Sequence, residues 1–127
     1  MTCIYCGAAA QEQDHIVARS MGGHNKRWNL APACIRCNRT KGANSIERFL
    51  VDRPEVLDRV RAHQARELGF EPGSRVAASL LLIEAHRRVE TMHPLQREHL
   101  IPGSFDYAAA LSLGLLAEDG TPRRRAA

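Results

Sequence analysis

Four cysteines, an Asp-His dipeptide and one asparagine are the residues of this chain best placed to do chemistry. Cys3, Cys6, Cys34 and Cys37 form C-x2-C-x27-C-x2-C. Each pair suits one edge of a tetrahedron of thiolates around zinc. An iron–sulfur cluster on the same thiolates and four unpaired buried thiols are the competing readings. Zinc is favoured because all four cysteines are consumed and no fifth is left over. Four protein ligands leave no position for water, so such a zinc builds the scaffold and does not catalyse. In a small module it supplies much of the folding free energy. Asp14 offers a hard oxygen to a divalent cation, and His15 can accept a proton near neutral pH. Taken alone, that dipeptide is ordinary surface chemistry. Asn38 directly follows Cys37 and lies one helical turn after Cys34, with Lys41 three residues on along the same face. Asparagine is also common in a first helical turn without any role.

These residues need elements to hold them. Cys3 to Gly7 reads as a knuckle, a tight turn whose backbone amides point at sulfur. Ile16 and Val17 with polar neighbours suit a short strand over 11–17 carrying Asp14 and His15. Gly22, Gly23 and Asn25 mark 20–28 as a loop, and 29–33 as the return strand. IRCNRTK after Cys34 reads as a short helix stopped by Gly42. Adjacent residues of a regular strand face opposite ways, so Asp14 and His15 can share one site only where the strand ends, twists or bulges. Irregular backbone is therefore expected at this pair.

Beyond residue 43 the pattern turns helical. Asn44 with Glu47 predicts a capping box opening a helix to about Val51. Pro54 opens a second helix, with Val56, Leu57, Val60 and Leu68 at helical spacing. Ser74 caps a third, broken at Pro94, and a fourth runs from about Phe105 to Ala117. The expected domains are 1–50 as the zinc-bound module, 51–119 as a helical extension, and 120–127 as a disordered basic tail containing Arg123, Arg124 and Arg125.

The chain has 127 residues, 44% hydrophobic and 25% charged, values of a folded protein and too few residues for two large domains. No apolar run reaches the ~20 residues needed to span a bilayer, and no signal peptide is visible, so a cytoplasmic location is expected. The formal charge is +4, and the pI is about 9.2. The positive charge is uneven: residues 1–50 carry seven Lys/Arg against three Asp/Glu, whereas 51–122 carry eight against eleven. The basic surface thus coincides with the cysteine-rich module and suggests an anionic partner.

The order C-x2-C, DHI, a Ser and Gly-Gly loop, NL, and C-x2-CN-x2-KG, over about residues 3–50, resembles the HNH endonuclease family in a variant whose last motif residue is Asn. The resemblance implies an α+β fold: a zinc-stabilised ββα-metal (HNH) module, here followed by a mostly α-helical C-terminal extension. It implies His15 as general base, and Asp14 and Asn38 as ligands of a catalytic divalent metal, Mg2+ or Mn2+, beside the structural Zn2+. Asn29 would be the middle motif residue, tying down the loop between the strands. Such chemistry needs an activated water and charge neutralisation at the scissile phosphate. Lys41, Arg36, Arg39 and Arg27 would contact the DNA backbone, giving affinity with little sequence choice. Trp28 reads as a hydrophobic plug of the loop. Compact phage-encoded nucleases are the context the family suggests. A non-catalytic zinc-stabilised DNA-binding module is the alternative. A protein partner or a homodimer through 51–119 is open.

Overall fold

The computed structural model describes residues 1–117 and 119–121. From residue 122 onward the expected basic tail lies outside the described residues. The chain forms two compact units, Met1–Ala78 and a second that begins at Ser79.

In the first unit the N-terminal turn closes on Gly7, whose φ of 79° suits only a residue without Cβ. The Gly7 amide donates to the Cys3 carbonyl at 2.9 Å, and the Cys3 amide to that of Ala8 at 2.7 Å. Strand β1 (Glu12–His15) pairs antiparallel with β2 (Leu30–Ala33), in the register Glu12 to Ala33 through His15 to Leu30. The loop between them holds two single turns of 3-10 helix, Arg19–Met21 and Arg27–Asn29, where turn chemistry predicts only loop. Helix α1 (Ile35–Lys41) follows β2 at once, its N-cap being Cys34. Two strands and one helix thus surround the cysteines in a ββα arrangement, as the sequence predicts.

Helix α2 (Ile46–Phe49) is capped by Ser45, which accepts from the Arg48 amide at 3.1 Å. The Asn44 capping box predicted from sequence is therefore displaced by one residue. Helix α3 (Pro54–Glu67) buries Val56, Val60, Gln64 and Ala65. Its Val56 and Val60 join Ile4, Tyr5, Ile16, Ala31, Ala33, Ile46 and Leu50 in one core. Burying each large aliphatic of this set contributes about 1.5–3 kcal/mol. Polar contacts fix α3 to the module as well: Arg59 Nη1 donates to the Ile4 carbonyl at 3.0 Å, and Arg61 meets Glu47 at 2.8 Å.

Helix α4 (Arg75–Thr91) presents Leu81, Ala85, Val89 and, just beyond its end, Met92 as a buried stripe at helical spacing in the second unit. Pro94 does not simply end the helical pattern. It occupies the first turn of α5 (Pro94–Arg97), where a missing N–H costs nothing, and His93 with Gln96 forms the capping box. Helix α6 (Phe105–Ser112) stops five residues short of the predicted end, because Leu113 caps it and Gly114 follows at φ 71°. Arg88 on α4 grips Asp106 on α6 at 2.5 Å through Nη2. Among the described residues no helix is long and apolar enough to cross a membrane.

Candidate nuclease site beside a four-cysteine cluster

The four Sγ atoms of Cys3, Cys6, Cys34 and Cys37 all lie within 4.8 Å of one another. Zn–S bonds of about 2.3 Å at tetrahedral angles require sulfurs roughly 3.8 Å apart. Cys6 and Cys34 stand at 3.7 Å. The donor set and its spacing fit zinc with little rearrangement. Backbone amides do the rest of the work at sulfur. Burial opposes ionisation of Cys3, but amide hydrogen bonds from Cys34, Cys6 and Tyr5 outweigh it and bring the thiol down to about 7. Burial and the neighbouring thiols push Cys37 the other way, well above its ordinary value. Cys34 has a second duty, accepting the Cys37 amide at 3.4 Å as the cap of α1.

Alternation along β1 decides where the Asp-His pair points. The register is unbroken through Asp14 and His15, and the Ile16 amide still reaches the Asn29 carbonyl at 2.8 Å. The bend comes only afterwards, at 16–17. The irregular backbone expected at the pair is therefore absent, because the loop, not the strand, absorbs the change of direction. Asp14 turns inward and is buried, and His15 stays half-exposed.

Asp14 meets an arrangement that sequence reading missed. The Tyr5 hydroxyl donates to its Oδ2, and Lys41 Nζ lies 3.2 Å from Oδ2 and 3.4 Å from Oδ1. The same ammonium donates to the His15 carbonyl at 2.8 Å. Burial first, then the negative Asp14 beside it, drives the Tyr5 hydroxyl well above its usual range. Burial lowers the Lys41 ammonium despite the opposing pull of Asp14. Lys41 has no exposed surface at all. The surface phosphate contact read from sequence for this lysine is corrected accordingly: its charge is spent inside, on Asp14. The only sequence signal of Tyr5 is its place between the two cysteines of the knuckle.

Removing one partner of such a pair strands the other charge in the core, at a cost of about 3–5 kcal/mol. Lys41→Met is expected to lower the urea-unfolding stability of the zinc-loaded chain by that amount, and adding Asp14→Asn should restore a large part of it. Strictly additive losses in the double variant would mean that the two groups do not interact.

Asn29 is fully buried between the strands. Its Oδ1 accepts from the Val17 amide at 2.8 Å, and its Nδ2 donates to the carbonyls of Val17 and His24 at 3.0 and 2.8 Å. Gly23 makes room for this clamp, since a Cβ there would stand 1.8 Å from the Val17 oxygen and 2.9 Å from Asn29 Nδ2. Trp28 is buried next to it, as a plug of the loop should be.

His15 Nε2 lies 2.6 Å from Asn25 Oδ1. A side-chain carbonyl oxygen only accepts, so Nε2 is the donor, and Nδ1 has no partner among the described residues. Asn38 donates from Nδ2 to Glu12 Oε1 at 3.1 Å. Glu12 stands two residues before Asp14 on the same face of β1, so Glu12, Asp14 and Asn38 bring hard oxygens to one side of the hairpin. Arg27, Arg36 and Arg39 are exposed.

The hairpin, α1 and the cysteine cluster together define a zinc-type ββα-metal module. Residues 3–52 match the model of the HNH endonuclease family. A 45-residue stretch is 47% identical to the CRISPR-associated endonuclease Cas9 of Corynebacterium diphtheriae, covering 32% of this chain and 4% of that protein. No solved structure matches the chain.

Proposed function

We propose that the chain is a metal-dependent DNA endonuclease of low sequence specificity that hydrolyses phosphodiester bonds. The observation that carries this reading is His15, half-buried and held at Nε2 by Asn25, with no protein partner at its other ring nitrogen among the described residues. A half-exposed imidazole anchored at one nitrogen is what removal of a proton from an attacking water requires. Asp14 and Asn38, with Glu12 beside them, would hold the catalytic divalent metal, which when bound neutralises charge on the scissile phosphate. Arg27, Arg36 and Arg39 would bind the flanking phosphates.

A specific observation favours a second reading, the zinc-stabilised DNA-binding module without catalysis. Both Asp14 oxygens are already engaged by Tyr5 and Lys41, and the regular pleat of β1 aims Asp14 and His15 at opposite faces, so a metal at Asp14 would compete with protein contacts and stand apart from His15. Plasmid nicking by the zinc-loaded chain, with and without added magnesium or manganese, separates the two. Relaxed circles that form only with the added metal, and far more slowly for Asn38→Ala, support the nuclease. Binding to the plasmid without nicking under any of these metals supports the binding module.

A further inference from the structure

On the far side of β2 from β1, the knuckle and α3 enclose an open cleft of about 450 Å3. Arg59, His63 and Arg66, at i, i+4 and i+7 of α3, form one wall, with Thr2 and Pro32 opposite, and no carboxylate lines it. We propose that this cleft is a second phosphate-binding surface, which takes the nucleic-acid backbone where it continues past the His15 end of the hairpin. The proposal rests on the nuclease reading for its ligand and extends the contact surface beyond the HNH module.

Three features single out phosphate. Arg59 is fixed, because Nη1 is committed to the Ile4 carbonyl at 3.0 Å while its other nitrogens remain available. His63 is fixed too, with Nε2 at 2.7 Å from the Leu30 carbonyl, so that nitrogen is a donor and Nδ1 faces no protein partner among the described residues. Arg66 is exposed with no ion pair among the described residues. A preorganised guanidinium beside an exposed one, with no carboxylate lining the cleft, is chemistry that recognises phosphate oxygens.

Position favours a backbone running from the catalytic hairpin over a free anion. Directly paired residues share a face of a sheet, as do residues two apart on a strand. The side chain of Pro32 therefore stands on the face that carries Gln13, Leu30 and His15. From His15 to the level of Pro32 is two strand residues, about 7 Å. A strand gripped at His15 needs only to continue across this face to reach Arg59 and Arg66.

The test is the binding of a fluorescein-labelled duplex of arbitrary sequence by the full zinc-loaded chain, followed by anisotropy over a range of salt without added magnesium. Arg66→Ala is expected to weaken binding about three- to tenfold and to reduce the slope of log K against log salt by about one, and Arg66→Lys to restore the slope. Arg36→Ala, on α1, serves as the comparison within the HNH module. If Arg36→Ala lowers the slope and Arg66→Ala leaves it unchanged, the cleft is overturned and the nuclease reading stands. If the wild-type chain does not bind the duplex, both fall. Zinc content and circular dichroism of each variant confirm that folding is intact, which Arg66, an exposed residue with no ion pair, should not disturb.

Discussion

Withdrawal of zinc by a chelator, or Cys34→Ser, is expected to unfold the first unit as a whole. Structural zinc on four thiolates contributes about 10–16 kcal/mol to folding in small modules. A whole domain commonly has about 5–15 kcal/mol of net stability. Losing the metal therefore removes as much as the fold has. Cys34 concentrates the effect, because the same sulfur closes the cluster and caps α1. Serine could still cap the helix, which separates the two losses: a missing cap alone would cost about 1 kcal/mol. The measurement is far-UV circular dichroism with zinc stoichiometry on the full chain. Retention of a cooperative transition near the wild-type midpoint in zinc-free protein would refute a structural metal.

His15→Ala is expected to lower the rate of plasmid nicking by about 100- to 10,000-fold while duplex binding changes little. That range corresponds to roughly 3–5 kcal/mol of transition-state stabilisation. The variant should fold, because His15 is only half-buried and its backbone carbonyl, the part that Lys41 holds, is untouched by the substitution. Asn25→Ala should fall between the two, with a loss of about 10- to 100-fold, since it frees the imidazole to rotate without removing it. Cleavage equal in wild type and His15→Ala, or absent from both, would refute the assigned base.

The order of elements over the first fifty residues is legible because the β-branched pair Ile16 and Val17, the glycine turns and the paired cysteines all agree on it. What the sequence hides is the inside of the site. Lysine is almost never fully buried, so nothing in the spelling of Lys41 marks it as the counter-charge of Asp14. Tyr5 is equally silent, one aromatic between two cysteines, yet it meets Asp14 and stacks edge-on against Phe49 at 5.3 Å. Glu12 and Asn25 escape notice for a different reason. Their partners, Asn38 and His15, lie 26 and 10 residues away, and only the closed hairpin brings them together. The cap at Ser45 instead of Asn44 shows the usual limit of local rules, since two adjacent cap formers compete and tertiary packing chooses. Arg88 and Asp106, eighteen residues apart, are likewise a partnership that helical periodicity places on buried faces without revealing.

The outer edge of β2 has a consequence for how the molecule behaves in company. A two-stranded sheet normally offers unpaired carbonyls as a template on which another chain can add a strand. Here the carbonyls of Pro32 and Leu30 are met by the Ile4 amide and by the His63 ring, and Pro32 has no N–H to offer. That side of the ribbon is sealed against growth, so copies of the chain cannot lengthen the sheet there.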